Sequence, residues 1–108
     1  MRRTNHHDES GAAIVCSHVA RLGYSILYAH RDAPMEAVDS GWQFLCSGEP
    51  NHADDVVGGC VWSINDVLRT EPTLRPMLRH PIGTWLARPN SSAPWESHAP
   101  HATTRRLT

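Results

Sequence analysis

The sequence has no lysine; all ten of its basic residues are arginine. That absence removes Schiff-base chemistry and the lysine of a phosphate-binding loop, and codon usage in a GC-rich genome accounts for it. Long apolar runs are missing as well. The longest span four to five residues, against the ~20 that cross a bilayer as a helix. The opening Met1-Arg2-Arg3-Thr4-Asn5-His6-His7-Asp8-Glu9 carries no apolar stretch behind its arginines, so no secretory signal is expected and the expected compartment is the cytoplasm. Cys16, Cys46 and Cys60 are odd in number, widely spaced and form no C-x-x-C, which predicts reduced, buried thiols. Nor is there an excess of positive charge. A net charge of −1 argues against the general nucleic-acid affinity that runs on surplus basic residues.

What is present fits one domain. The 108 residues match a single unit of roughly 100–150. Residues 1–11 are polar and His-rich and read as a disordered leader. From Ser97 onward hydrophobic periodicity ends, so 97–108 read as a disordered tail. The folded part is expected over 12–96.

Within it, Ala13-Ile14-Val15-Cys16 suits a short strand, and Val19 to Gly23 suits a turn hinged on the glycine. Tyr24 to His30 alternates like a strand with both faces partly covered. A polar connection over 31–39, broken by Pro34, precedes Ser40 to Cys46, whose Trp42, Phe44 and Cys46 recur at period two. A second polar loop over 47–55 leads through Gly58-Gly59 to the brief strand Cys60-Val61-Trp62. Ser63 can then cap a helix whose Asp66 suits the positive first turn, with Ile64, Val67 and Leu68 as its apolar stripe. Pro72 ends that helix, and a second short one from Thr73 carries Leu74, Met77 and Leu78. Ile82 to Arg88 gives a strand, and Trp95-Glu96 a weak edge strand. This order predicts an α+β fold: a small, mostly antiparallel sheet with two short consecutive helices.

Motifs for chemistry are scarce. There is no G-x-S-x-G elbow, phosphate loop or Gly-x-Gly-x-x-Gly, and a Cys46 thiol on the Trp42–Phe44 face would be buried and inert. Cys16-x-His18, His30 and His52-x-Asp54 offer donors that zinc accepts. No paired metal-ligand spacing joins them, so neither metal nor cofactor is expected, and the chain does not read as an enzyme. Trp42, Trp62 and Trp85 are core candidates, because a small domain needs its large aromatics inside; Trp95 is more open. Arg69, Arg75 and Arg79 lie on or beside the helices and suit surface pairs with Asp66 or Glu71.

The central segment resembles a bacterial family once catalogued as a domain of unknown function and later grouped as immunity-protein family thirty-three. The resemblance covers about residues 13–96. It rests on Ser17-His18-Val19, Gly23-Tyr24, Tyr28 to Pro34, Asp39-Ser40-Gly41-Trp42-Gln43-Phe44, Trp62 to Val67, Glu71 to Leu78 and Pro81-Ile82-Gly83-Thr84. Its most specific parts are the Asp-Ser-Gly-Trp tetrapeptide and the later Pro-Ile-Gly-Thr segment. The resemblance implies a protein made beside a toxin that binds it in the producing cell and blocks it without catalysis.

On that reading the partner is a protein, neither nucleic acid nor membrane, and the loops 31–39 and 47–58 form the contact surface. Asp32, Glu36, Asp39, Trp42, Glu49, Asp54 and Asp55 are the partner-binding candidates. The carboxylates serve either as an acidic rim that speeds capture of a basic partner or as solvated loop charge. Asp39 to Trp42 is either a recognition corner or a turn whose tryptophan anchors the core. A regulatory or orphan interaction domain, and a small metal-binding accessory protein, are the alternative readings.

Overall fold

A computed structural model of the chain describes residues 11–34, 38–47 and 59–99. Six strands form one sheet: β1 (Ala12–Val15), β2 (Tyr28–Arg31), β3 (Asp39–Leu45), β4 (Cys60–Ser63), β5 (Trp85–Ala87) and β6 (Glu96–His98). Their spatial order is β4-β1-β3-β2-β5-β6, with β1–β3 parallel and the other pairs antiparallel. The α+β class and mostly antiparallel sheet match the expectation from sequence.

Strand parity decides which side chains enter the core. One row runs Cys60, Val15, Phe44, Ala29, Leu86 and Ser97 across all six strands, and Val15, Phe44, Ala29 and Leu86 are fully buried. The helix α2 (Ile64–Thr70) and the 3₁₀ helix Pro72–Met77 supply Ile64, Val67, Leu68 and Leu74 to the same core. The start of α2 is as expected: Ser63 Oγ accepts from the Asp66 amide at 3.1 Å, satisfying one of the helix's orphan donors. Its partner helix is 3₁₀ and begins at Pro72 instead of Thr73, and Pro76 sits inside it. The short i→i+3 turn tolerates two prolines in a way that an α-helix of this length would not.

Three local expectations need correction. Ser17–Leu22 is a helix, α1, where a turn was expected; Gly23 closes it in the left-handed region at φ 76°. β2 begins at Tyr28, not Tyr24, because Tyr24 turns back to stack on His18, ring centroids 5.4 Å apart. β6 pairs through His98, so regular structure runs past Trp95-Glu96 into residues read as tail.

Gly41 fixes the crossing of β3 and β2. Its φ is +85°, and a Cβ there would lie 2.0 Å from the Asp32 carbonyl oxygen, whose residue donates its amide to the Gly41 carbonyl at 2.8 Å. Only glycine allows that approach.

Candidate functional site

The opposite face of the sheet has a different character. Val61, Ile14, Gln43, His30, Trp85 and His98 stand side by side in one row that crosses every strand. Among the described residues none of these six is buried, and Val61 is 75% exposed. Trp85 stacks on His98 with centroids 3.7 Å apart and leans on Tyr28 at 5.9 Å, which also neighbours His30 at 6.0 Å. Burial, and then the negative charge of Asp32, push the Tyr28 phenol up, so it remains a neutral hydroxyl donor over the physiological range. Rigid aromatic side chains with polar tips are what protein interfaces concentrate at their hot spots. Trp85 was expected in the core; its pairing with His30 and His98 instead puts it opposite Leu86, on the open face.

One end of this face is acidic. Asp32 accepts from Gln43 Nε2 at 2.8 Å, and its other oxygen lies 3.3 Å from His30 Nδ1. Asp32, Asp39 and Trp42 all line a shallow cleft of about 180 Å³ with Ile14, Ala33, Gly41 and Gln43. The structure therefore brings three of the expected partner-binding residues together. Asp32 is 59% exposed at its side chain, whereas Asp39 Oδ1 accepts the Gly41 amide at 2.8 Å and helps to form the turn. Trp42, at 1% exposure, lies in the core as the turn-and-anchor reading expected, stacked on Phe44 at 5.8 Å. Glu36, Glu49, Asp54 and Asp55 lie outside the described residues.

Two arginines hold the face in place from behind. Arg31 donates to the carbonyls of Ser40, Leu78 and His80 at 3.0, 3.3 and 2.9 Å, with its guanidinium 5.7 Å from the Trp42 ring centroid. The two most specific sequence markers meet on either side of this residue. Trp42 pairs with it in β3, while Thr84 accepts its amide and Gly83 donates to its carbonyl. Both markers thus build the joint that sets the end of β2, including Asp32.

Arg88, with 1% side-chain exposure, donates twice to the Ile26 carbonyl at 3.1 and 2.9 Å and once to Ser91 at 3.3 Å. It also pairs with Glu71 at 2.8 Å beneath the Trp95 ring, 4.3 Å away. Trp95 Nε1 donates to Thr73 Oγ1, which in turn donates to Glu71. Burial alone would raise the Glu71 carboxyl, but the hydrogen bonds from Thr73 and Arg88, together with the charge of Arg88, hold it below the usual carboxylate range. Glu71 was expected to serve a surface arginine. Of the helix arginines, Arg69 does pair with Asp66, at 2.9 Å on the surface.

A separate cluster lies where β1 and β3 end. Cys16, His18 and Cys46 bring one donor atom each within 4.8 Å of one another. Sequence spacing gave no hint of this, because the parallel β1–β3 pairing joins residues thirty positions apart. The only signal was the Cys16-x-His18 pair itself.

No helix among the described residues is long and apolar enough to cross a membrane. No curated protein and no solved structure matches the chain. The family model described as the immunity protein Imm33 domain matches residues 13–99, a stretch that holds the sheet apart from Ala12, the open-face row and both marker segments. Immunity proteins of this kind are generally non-catalytic and act by binding a protein. The chain belongs to the Imm33 family of immunity proteins.

Proposed function

We propose that this chain neutralises a partner toxin by direct, non-catalytic binding, and that the open sheet face is the contact surface. The observation that carries the reading is the row Val61–Ile14–Gln43–His30–Trp85–His98, with Tyr28 beside it. A sheet face that presents stacked aromatics, instead of the polar residues of a solvated antiparallel face, supports a protein partner. Asp32 at the acidic end supplies the charge that steers a basic surface toward it. Asp39, which lines the same cleft as Asp32, adds to that charge, and the sequence supplies four further carboxylates as candidates in Glu36, Glu49, Asp54 and Asp55. Binding of this kind needs a scaffold that does not deform, and the Arg31 and Arg88 anchors supply one.

The test is capture of a partner from lysate of the source organism, using the tagged chain and a high-salt wash. A stoichiometric partner that arrests cells when expressed alone, and is silenced by co-expression of this chain, supports the proposal. A stoichiometric but harmless partner overturns toxin neutralisation in favour of a regulatory interaction domain.

A further inference from the structure

We propose that Cys16, His18 and Cys46 form a zinc site, with two thiolates and one imidazole as protein ligands and water in the fourth position. The three donor atoms lie within 4.8 Å of one another. Three atoms so placed share a centre no more than about 2.8 Å from each, against about 2.0–2.3 Å for zinc bonds to nitrogen and sulfur. Closing that gap takes about half an ångström of side-chain adjustment per ligand, within the freedom of a χ1 rotation.

The backbone around the cluster is already fixed. Cys16 donates its amide to the Phe44 carbonyl at 3.0 Å, and its own carbonyl accepts from Ala20 at 2.9 Å. Leu27 donates to the Leu45 carbonyl at 3.0 Å, which holds the residue before Cys46. The His18 ring is oriented by its stack on Tyr24. Such outer contacts are what keep metal-binding imidazoles aimed. Cys16 is buried while His18 and Cys46 are partly exposed, so the site has a closed inner side and an open outer one through which an ion and its water can enter. None of the three cysteines is joined in a disulfide.

Charge favours zinc over an occupant of lower valence. Each thiol gives up one proton as its sulfur–zinc bond forms, so two protons leave and the two thiolates neutralise the dication. The result is an uncharged centre at a half-buried position, which avoids the cost of burying net charge. Soft sulfur donors also select zinc against magnesium and calcium. The site lies at the end of the β1–β3 pair and does not depend on any partner.

The test uses the reduced full chain, stripped of metal and titrated first with cobalt(II) and then with zinc(II). Cobalt is expected to bind at about one ion per chain with tetrahedral visible bands and a thiolate-to-metal charge-transfer band, and zinc to displace it. That band separates this cluster from the histidines elsewhere in the chain, which cannot produce it. Cys46→Ser should abolish the two-thiolate spectrum and weaken zinc binding by at least about 100-fold, while Cys60→Ser should change neither. His18→Gln, which leaves both thiols in place, should keep a thiolate band but weaken zinc, so a misfolded Cys46→Ser does not decide the matter alone. A cobalt spectrum without thiolate character in the reduced chain, or zinc affinity unchanged in both ligand variants, overturns the proposal.

Discussion

Replacing Arg88 by methionine should cost the domain about 3–5 kcal/mol, the range for breaking one side of a buried ion pair. Methionine fills much of the volume of the arginine stem, so the loss falls on the groups left behind rather than on a cavity. The Ile26 carbonyl loses both of its guanidinium donors, at about 1–3 kcal/mol for an unsatisfied buried polar group. Glu71, only 16% exposed at its side chain, loses its cation and keeps only the hydrogen bonds from the Thr73 hydroxyl and backbone amide. Trp95 loses the guanidinium it covers. Against a total stability of about 5–15 kcal/mol, that is a large fraction, and at roughly 4–8 °C per kcal/mol the melting temperature should fall by at least about 12 °C. Urea unfolding followed by tryptophan fluorescence gives the free energy directly. Adding Glu71→Gln to the Arg88→Met chain should cost little more, because the carboxylate has already lost its partner. A loss below about 1 kcal/mol for Arg88→Met, the level of an exposed pair, would refute the anchoring role assigned to this network.

Three further outcomes follow from particular contacts. Gly41→Ala combines a left-handed φ with a Cβ 2.0 Å from the Asp32 carbonyl oxygen, so it should destabilise by at least about 1–3 kcal/mol, read as a drop in thermal midpoint. The folded Glu71 carboxyl is held below its ordinary value of 4.5, so its share of stability is complete above that pH and lost as pH falls through the lower folded value; Glu71→Gln should flatten the acid limb of a stability–pH curve. Asp32→Arg should slow association with a captured basic partner, and weaken the salt dependence of the rate, with little effect on folding because the side chain is exposed; stopped-flow mixing at two ionic strengths measures it.

Much of the fold was legible because the deciding interactions are local. The period-two pattern of Trp42 and Phe44 marks β3, and Ser63 with Asp66 marks the start of α2. α1 was not legible. Its six residues bury only Val19 and have no side-chain cap, so nothing in their pattern separates a short helix from a turn. The start of β2 was hidden for a related reason, since Tyr24 continues the strand alternation but is held by His18.

The site was less legible than the fold. Asp32 and Asp39 were reached through loop composition, and the cleft between them follows from the β2–β3 register. The open-face row was not, because it depends on five non-local pairings that together decide whether Trp85 faces inward or outward. Arg88 with Glu71, and Cys16 with Cys46, are likewise joined only by tertiary structure. The marker tetrapeptide read either as a recognition corner or as a turn with a core tryptophan, and in the structure Asp39 closes the turn and Trp42 fills the core.

The central claim, that the open sheet face binds the partner, is tested most directly by calorimetric titration of the captured partner with face variants. Trp85→Ala in the middle of the aromatic stack and Val61→Arg at the far edge should each leave the fold intact. The account predicts a dissociation constant raised by about 30-fold or more for Trp85→Ala, the effect of a hot spot worth about 2 kcal/mol, and a clear loss for Val61→Arg. Dissociation constants equal to that of the unaltered chain for both variants would contradict it and move the contact surface elsewhere.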